Sequence, residues 1–257
     1  MGKVIAITNQ KGGVGKTTTT INLASNLSAL GKSVLIVDLD PQANTTSGLG
    51  CMDDENTVYE LLLEDCELKD CIREMSYKNL LGTRRIALIP SKVDLAGAEL
   101  ELADVDERVY RLRYKLDPIR GNYDYILIDC PPSLNLLTVN ALSTADSVMI
   151  PVQCEFYALQ GLAQLLETVD MVRESLNSDL QVEGLVFTMY DPRTNLSKQV
   201  IEDVKENLDV YIFKAVIPRN VRLAEAPSYG EPVDIYDRMS SGANSYRKLA
   251  KELIKKG

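Results

Sequence analysis

Histidine is absent from all 257 residues of the chain. That gap removes every histidine-based nucleophile triad and the commonest zinc ligand. Cysteine is sparse: Cys51, Cys66, Cys71, Cys130 and Cys154 form an odd set with no CxxC pair, and a chain of this length does not need disulfide staples. A reducing compartment is expected. No stretch of about 18 uncharged apolar residues occurs, and the first residues pass into a strand without the basic and apolar regions of a signal peptide. These absences predict a cytoplasmic protein. Positive charge is in deficit, with 28 Lys and Arg against 37 Asp and Glu and a net charge of −9. The molecule as a whole should be repelled by nucleic acid and anionic membranes at low salt, so any polyanion must be bound locally. Repeats, Pro/Ser linkers and low-complexity tracts are missing too. With 45% hydrophobic and 25% charged residues, one domain spanning residues 1–257 is expected.

Short β-branched runs alternate with longer stretches of helical period, the pattern of an α/β, doubly wound, mainly parallel sheet flanked by helices. Strands are expected at 3–8, 33–38, 85–90, 125–129, 147–151, 182–188 and 210–217. Helices are expected at 16–30, 134–142, 158–176, 196–207 and 243–256, with a short one at 57–63; the rest of 52–75 has no clear pattern. Ligands of such sheets bind at the carboxyl ends of the strands. The candidate motifs follow Thr8, Val37, Ile128 and Ile217, where those ends lie.

Lys11-Gly12-Gly13-Val14-Gly15-Lys16-Thr17-Thr18 sits between an apolar strand and an amphipathic helix. In that context the glycines let backbone N–H groups curl around phosphate oxygens, and the helix N-terminus adds partial positive charge. Lys16 would reach the β- and γ-phosphates of ATP, and the Thr17 hydroxyl would be a Mg²⁺ ligand. Val34-Leu35-Ile36-Val37 ends in Asp38-Leu39-Asp40-Pro41, and strand alternation points Asp38 and Asp40 the same way. For Asp38 two readings stand, support of the Mg²⁺ shell and capping of the next turn. Tyr125-Ile126-Leu127-Ile128-Asp129 is a Walker B pattern whose aspartate binds Mg²⁺ directly or through water. Cys130 beside it has no histidine to activate it and reads as a small buried side chain.

An ordinary phosphate loop has glycine where Gln10 stands; here a second lysine, Lys11, precedes the glycine pair. This variant resembles the deviant Walker A group, which includes the ParA/Soj partition ATPases and MinD-like proteins. The segment Ile217-Pro218-Arg219-Asn220-Val221-Arg222-Leu223-Ala224-Glu225-Ala226-Pro227-Ser228-Tyr229-Gly230, with Met189 to Asn195, is similar to the signature of the chromosomal ParA/Soj branch. The resemblance covers nearly the whole chain. It implies an ATP-dependent sandwich homodimer in which Lys11 reaches the partner's nucleotide, with Asp40 as the catalytic residue that orients water. It places the Pro218, Arg219 and Asn220 turn against the adenine, the alternative being a structural turn. It also implies that Arg193 and Arg222 hold phosphates of double-stranded DNA without reading sequence, against the plainer reading of surface salt bridges.

The same resemblance implies a ParB/Spo0J-type centromere-binding partner that stimulates a slow ATPase, and a nucleoid-associated location. The slowness has a physical side: no arginine finger is evident, so Lys16, Lys11 and Mg²⁺ carry the charge stabilisation. The C-terminal segment brings Arg247, Lys248, Lys251, Lys255 and Lys256 against Glu252, with Tyr246, Leu249, Ala250, Leu253 and Ile254 on an apolar face. The basic side either extends a DNA track or complements the helix dipole. A membrane-surface switch like MinD is the alternative function. It needs a free C-terminal helix with bulky apolar residues, whereas this one reads as docked.

Overall fold

The computed structural model describes residues 2–53, 55–63, 66–80, 82–155 and 158–257. In chain order the elements are β1 (Lys3–Ile7), α1 (Lys16–Ala29), β2 (Val34–Asp38), α2 (Asn44–Gly48), α3 (Val58–Leu63), α4 (Leu68–Cys71), β3 (Arg73–Asn79), β4 (Gly82–Ile89), α5 (Ala98–Glu101) and α6 (Arg111–Leu116). They continue as β5 (Tyr125–Asp129), α7 (Leu136–Thr144), β6 (Ser147–Gln153), α8 (Ala158–Ser175), β7 (Gln181–Thr188), α9 (Asn195–Asn207), α10 (Val221–Glu225), α11 (Val233–Tyr236) and α12 (Ser241–Lys256). One sheet of order β3-β4-β2-β5-β1-β6-β7 holds the strands, with every pair parallel except β3 on β4. This is the expected α/β architecture.

Strand alternation makes two cores, one on each face of the sheet. Val4, Ala6, Leu35, Val37, Ile126 and Ile128 pack with buried residues of α3, α6, α7, α8 and α9. Their neighbours Ile5, Ile7, Ile36 and Leu127 pack instead with Leu23, Ala24 and Leu27 of α1 and with Tyr246, Leu249, Ala250 and Leu253 of α12. Each buried Val, Leu or Ile among them contributes about 1.5–3 kcal/mol. The helix of the phosphate loop and the C-terminal helix therefore share one face and one core.

Two strand expectations differ from the structure. Residues 210–217 form no strand of the sheet; they run beside β7 and make only an isolated bridge, Leu185 with Ile212, before Pro218 bridges Tyr190. Leu185, Phe187 and Tyr190 still exchange backbone hydrogen bonds with this run. The ladder breaks at Lys214 and Ala215, whose N–H groups donate to the Glu252 carboxylate of α12 at 2.8 and 3.1 Å. Conversely, β3 lies partly in the unpatterned stretch. Its sequence is charged, only Tyr77 within it is buried, and its place at the sheet edge asks for no apolar alternation.

Candidate active site

β1, β2 and β5 are neighbours, and their ends are in register: Ile7 pairs with Asp129, and Asp129 with Asp38. Beyond β1, Asn9 braces the loop by donating from Nδ2 to Pro151 O at 2.8 Å and accepting from Lys11 N at 3.0 Å. Gly13 and Gly15 take φ of 76° and 91°, a left-handed backbone that glycine adopts without the Cβ penalty. Gly15 is the N-cap of α1, and a Cβ built at Gly12 or Gly13 would meet nothing within 4 Å. The loop thus encloses an open cradle at a helix N-terminus. Val14 is buried inside it and its carbonyl accepts from Thr188 Oγ1 at 2.8 Å.

Lys16 is buried, with Nζ donating to Lys11 O at 3.3 Å. Desolvation lowers its pKa, and Asp129, Cys130 and Asp40 pull the other way. Thr17 is half-buried at the start of α1, and Thr18 lines the adjoining cavity. Lys11 is exposed and pairs with Glu155 at the site's rim.

The three aspartates converge but differ in use. Asp129 is fully buried: Oδ2 accepts from Thr17 Oγ1 at 2.8 Å and Thr45 Oγ1 at 2.7 Å, and Oδ1 from Thr20 Oγ1 at 3.3 Å. Asp38 spends both oxygens on the next segment, Oδ1 on Asp40 N at 3.2 Å and Oδ2 on Thr46 N and Oγ1 at 2.8 and 2.7 Å. Asp40 Oδ1 accepts from Gln42 N at 2.9 Å, and its carbonyl from Ser91 Oγ at 2.8 Å. Burial raises the Asp38 carboxyl to about 7, with the Asp129 charge adding to the shift. Burial likewise raises Asp129 to about 6, against the lowering effects of Thr45, Thr17 and Lys16. Cys130 is buried and burial pushes its thiol up, so it is inert as a nucleophile.

Among the described residues no group of three or more His, Cys, Asp or Glu is arranged to cage a metal ion. Mg²⁺ does not need one, since it takes one or two protein oxygens and fills its shell with water and phosphate. The Thr17 hydroxyl beside the Asp129 carboxylate is a hard-oxygen pair of that kind. Asp38 and Asp129, both raised chiefly by burial and further by a neighbouring carboxylate (Asp129 for Asp38, Asp40 for Asp129), also mark a place short of positive charge. The residues present fit Mg²⁺.

Next to the cradle lies a cavity of about 460 Å³ lined by Gly15, Thr18, Pro218, Arg219, Asn220 and Tyr246, among others. Asn220 caps α10 by accepting from Arg222 N at 2.9 Å, while its Nδ2 donates to Ser241 Oγ at 2.7 Å. The apolar spacing of the C-terminal helix predicts Tyr246 as a core residue; it also lines this cavity, with its hydroxyl 3.1 Å from Thr19 Oγ1. Sequence reasoning also missed Thr45, Thr46 and Ser91. The Thr45-Thr46-Ser47 run after Asp40 was the available signal.

Arg193 and Arg222 lie outside the cradle and both carry ion pairs. Arg193 holds Asp191 through two nitrogens at 2.9 and 2.6 Å and remains 86% exposed. Arg222 holds Glu225 at 2.8 Å and Asp237 at 3.2 Å. In α12, Lys256 donates to the buried Glu183 carboxylate at 2.9 Å.

Comparison with known proteins gives this geometry a family. Residues 2–182 match the model of an AAA domain. The chain is 55% identical over its full length to the sporulation initiation inhibitor protein Soj of Bacillus subtilis, again over that protein's full length. It is 49% identical to the chromosome partitioning protein ParA of Myxococcus xanthus, covering 100% of this chain and 89% of that one. Among solved structures, a Mycobacterium smegmatis protein described as cobyrinic acid a,c-diamide synthase with bound ADP and magnesium superposes with TM-score 0.84 at 37% identity, over 99% of this chain and 95% of that one. With a phosphate loop after β1, an aspartate closing β5 and relatives that match end to end, the chain belongs to the Soj/ParA family of chromosome-partitioning P-loop ATPases.

Proposed function

We propose that this chain is an ATP-hydrolysing DNA-partition protein: a single P-loop domain that dimerises on ATP, binds double-stranded DNA without sequence preference, and releases it after hydrolysis. The observation that carries the reading is the open glycine cradle at the ends of β1, β2 and β5, with Lys16 and three aspartates, beside a cavity of about 460 Å³. The loop N–H groups and Lys16 would hold the phosphates, Thr17 and Asp129 would hold Mg²⁺, and Pro218 to Asn220 would hold the adenine. Mg²⁺, when bound, would supply charge neutralisation to the phosphates. Asp38 keeps the 40–46 segment folded over the site, and Asp40 carries the water-orienting carboxylate.

Lys11 is exposed and pairs with Glu155, a surface contact it would exchange for a nucleotide held by a second copy. Arg193 and Arg222 are the phosphate contacts for DNA; their present acid partners are surface groups, and such pairs resist exchange weakly. A ParB/Spo0J-type protein is the partner that would stimulate hydrolysis, and DNA binding would place the protein on the nucleoid. The membrane-switch alternative is disfavoured by α12, whose apolar face is buried and whose Glu252 and Lys256 are tied to the body. Among the described residues no helix is long and apolar enough to cross a membrane.

The test is binding of random-sequence duplex DNA with ATP, with ADP and without nucleotide, with Lys16→Ala and anionic-liposome pelleting in parallel. Retention of DNA with ATP only, steeply weakened by salt, is expected. Liposome pelleting without DNA binding overturns the partition reading and leaves only the ATPase.

A further inference from the structure

Three hydroxyls converge on the buried Asp129 carboxylate, and one comes from an unexpected direction. Thr17 and Thr20 belong to α1, the helix of the phosphate loop. Thr45 belongs to α2, on the segment that follows Asp40, and donates to the same Oδ2 that Thr17 uses. Thr45 is fully buried. The turn into α2 passes through Ala43 at φ 50°, is closed by Asp40 accepting from Gln42 N, and is followed by Thr46 on Asp38. The segment carrying Asp40 is therefore pinned to two strand ends by consecutive threonines, Thr45 to β5 and Thr46 to β2.

We propose that Thr45 is a positioning residue for the divalent cation, holding the Asp129 carboxylate plane so that the oxygen shared with Thr17 faces the cation's shell. This inference rests on the Mg²⁺-ATP reading above. Rotation of a carboxylate about Cβ–Cγ is soft, and a donor on one side leaves it free to swing. Donors from α1 and α2 together fix it. The same hydrogen bond ties the orientation of Asp129 to the segment bearing Asp40, so the cation and the water-orienting carboxylate are set by one contact. Groups that orient a ligand from outside the metal's own shell change metal affinity by roughly 10–100-fold when removed.

The experiment compares wild type, Thr45→Val and Thr45→Ser in equilibrium binding of a fluorescent ATP analogue, titrated with MgCl₂ and repeated in excess EDTA. Valine keeps the shape and removes the hydroxyl; serine keeps the hydroxyl. Thr45→Val is expected to need about 10-fold more Mg²⁺ for half-saturation, to match wild type within about twofold in EDTA, and Thr45→Ser to restore the wild-type midpoint. Equal Mg²⁺ midpoints for Thr45→Val and wild type overturn the proposal, as does an equal loss of affinity with and without Mg²⁺, which marks a purely structural role. If Thr45→Val does not fold, the Mg²⁺ midpoints of Thr45→Ala and Thr45→Ser decide the question by the same criteria. Wild type that binds the analogue indifferently to Mg²⁺ removes the underlying Mg²⁺-ATP reading itself, an outcome visible before any variant is measured.

Discussion

Without nucleotide, the protein should gain stability as pH falls from 8 to 6, against the usual behaviour of carboxylates. Asp38 is raised to about 7 and Asp129 to about 6, with burial as the main cause. An acid whose folded pKa lies above its unfolded value costs stability while ionised, and that cost is relieved as pH falls through the folded pKa. The two groups sit side by side and titrate as a pair. Taken together they return about 2 kcal/mol between pH 8 and pH 6. The window is clean because the chain has no histidine, leaving the α-amino group as the main other titration there. Urea unfolding in EDTA, followed by far-UV circular dichroism at pH 6, 7 and 8, measures the slope. Asp38→Asn should flatten it. Saturating Mg²⁺ and ADP should reverse it, since the ligand favours ionised carboxylates and its stabilisation grows with affinity. Apo stability that is flat or rising from pH 6 to 8 refutes the buried-pair reasoning.

Asp40→Ala should lower ATP turnover by about 100-fold or more while binding of an ATP analogue stays within about threefold, as single-turnover and equilibrium measurements would show. Gly230→Ala should be costly: Gly230 has φ 66°, and an added Cβ would lie 2.8 Å from the Cα of Gly50, where only backbone could give way. A loss of about 2 kcal/mol, read as a fall of about 4–8 °C in Tm, is expected. Arg193→Ala and Arg222→Ala should leave the fold intact and reduce the salt slope of DNA binding by about one for each arginine removed. An unchanged slope would assign both arginines to their ion pairs alone.

The parts of this protein that were legible in the sequence are those whose chemistry is local. A loop of glycines between a buried strand and a helix needs only a few neighbouring residues to define its backbone, and Gly13 and Gly15 take the left-handed conformations that the loop demands. The ends of β2 and β5 were equally readable, because an apolar run closing on a carboxylate already says which end of the sheet it occupies. The alternation of short β-branched runs with helical stretches likewise foretold a sheet covered on both faces, and Val4 and Ala6 pack on one face while Ile5 and Ile7 pack on the other.

Tertiary structure decided what depends on distant partners. Residues 210–217 have a strand's composition, yet Glu252, 37 residues from Ala215, takes the Ala215 amide proton that a ladder with β7 would need. β3 pairs at a sheet edge where charge is tolerated, so its sequence carries no apolar alternation. The pairing of Lys11 with Glu155 also joins distant parts of the chain, whereas the salt bridges of Arg193 with Asp191 and Arg222 with Glu225 are local and follow the plainer reading of the sequence. Thr45 meets Asp129 across 84 residues, a contact that exists only because β2 and β5 lie side by side. Sequence alone determined the phosphate cradle and the kind of sheet that carries it; the packed fold decided which hydroxyls and charges surround it, because a buried hydrogen bond is set by where chain segments meet in space.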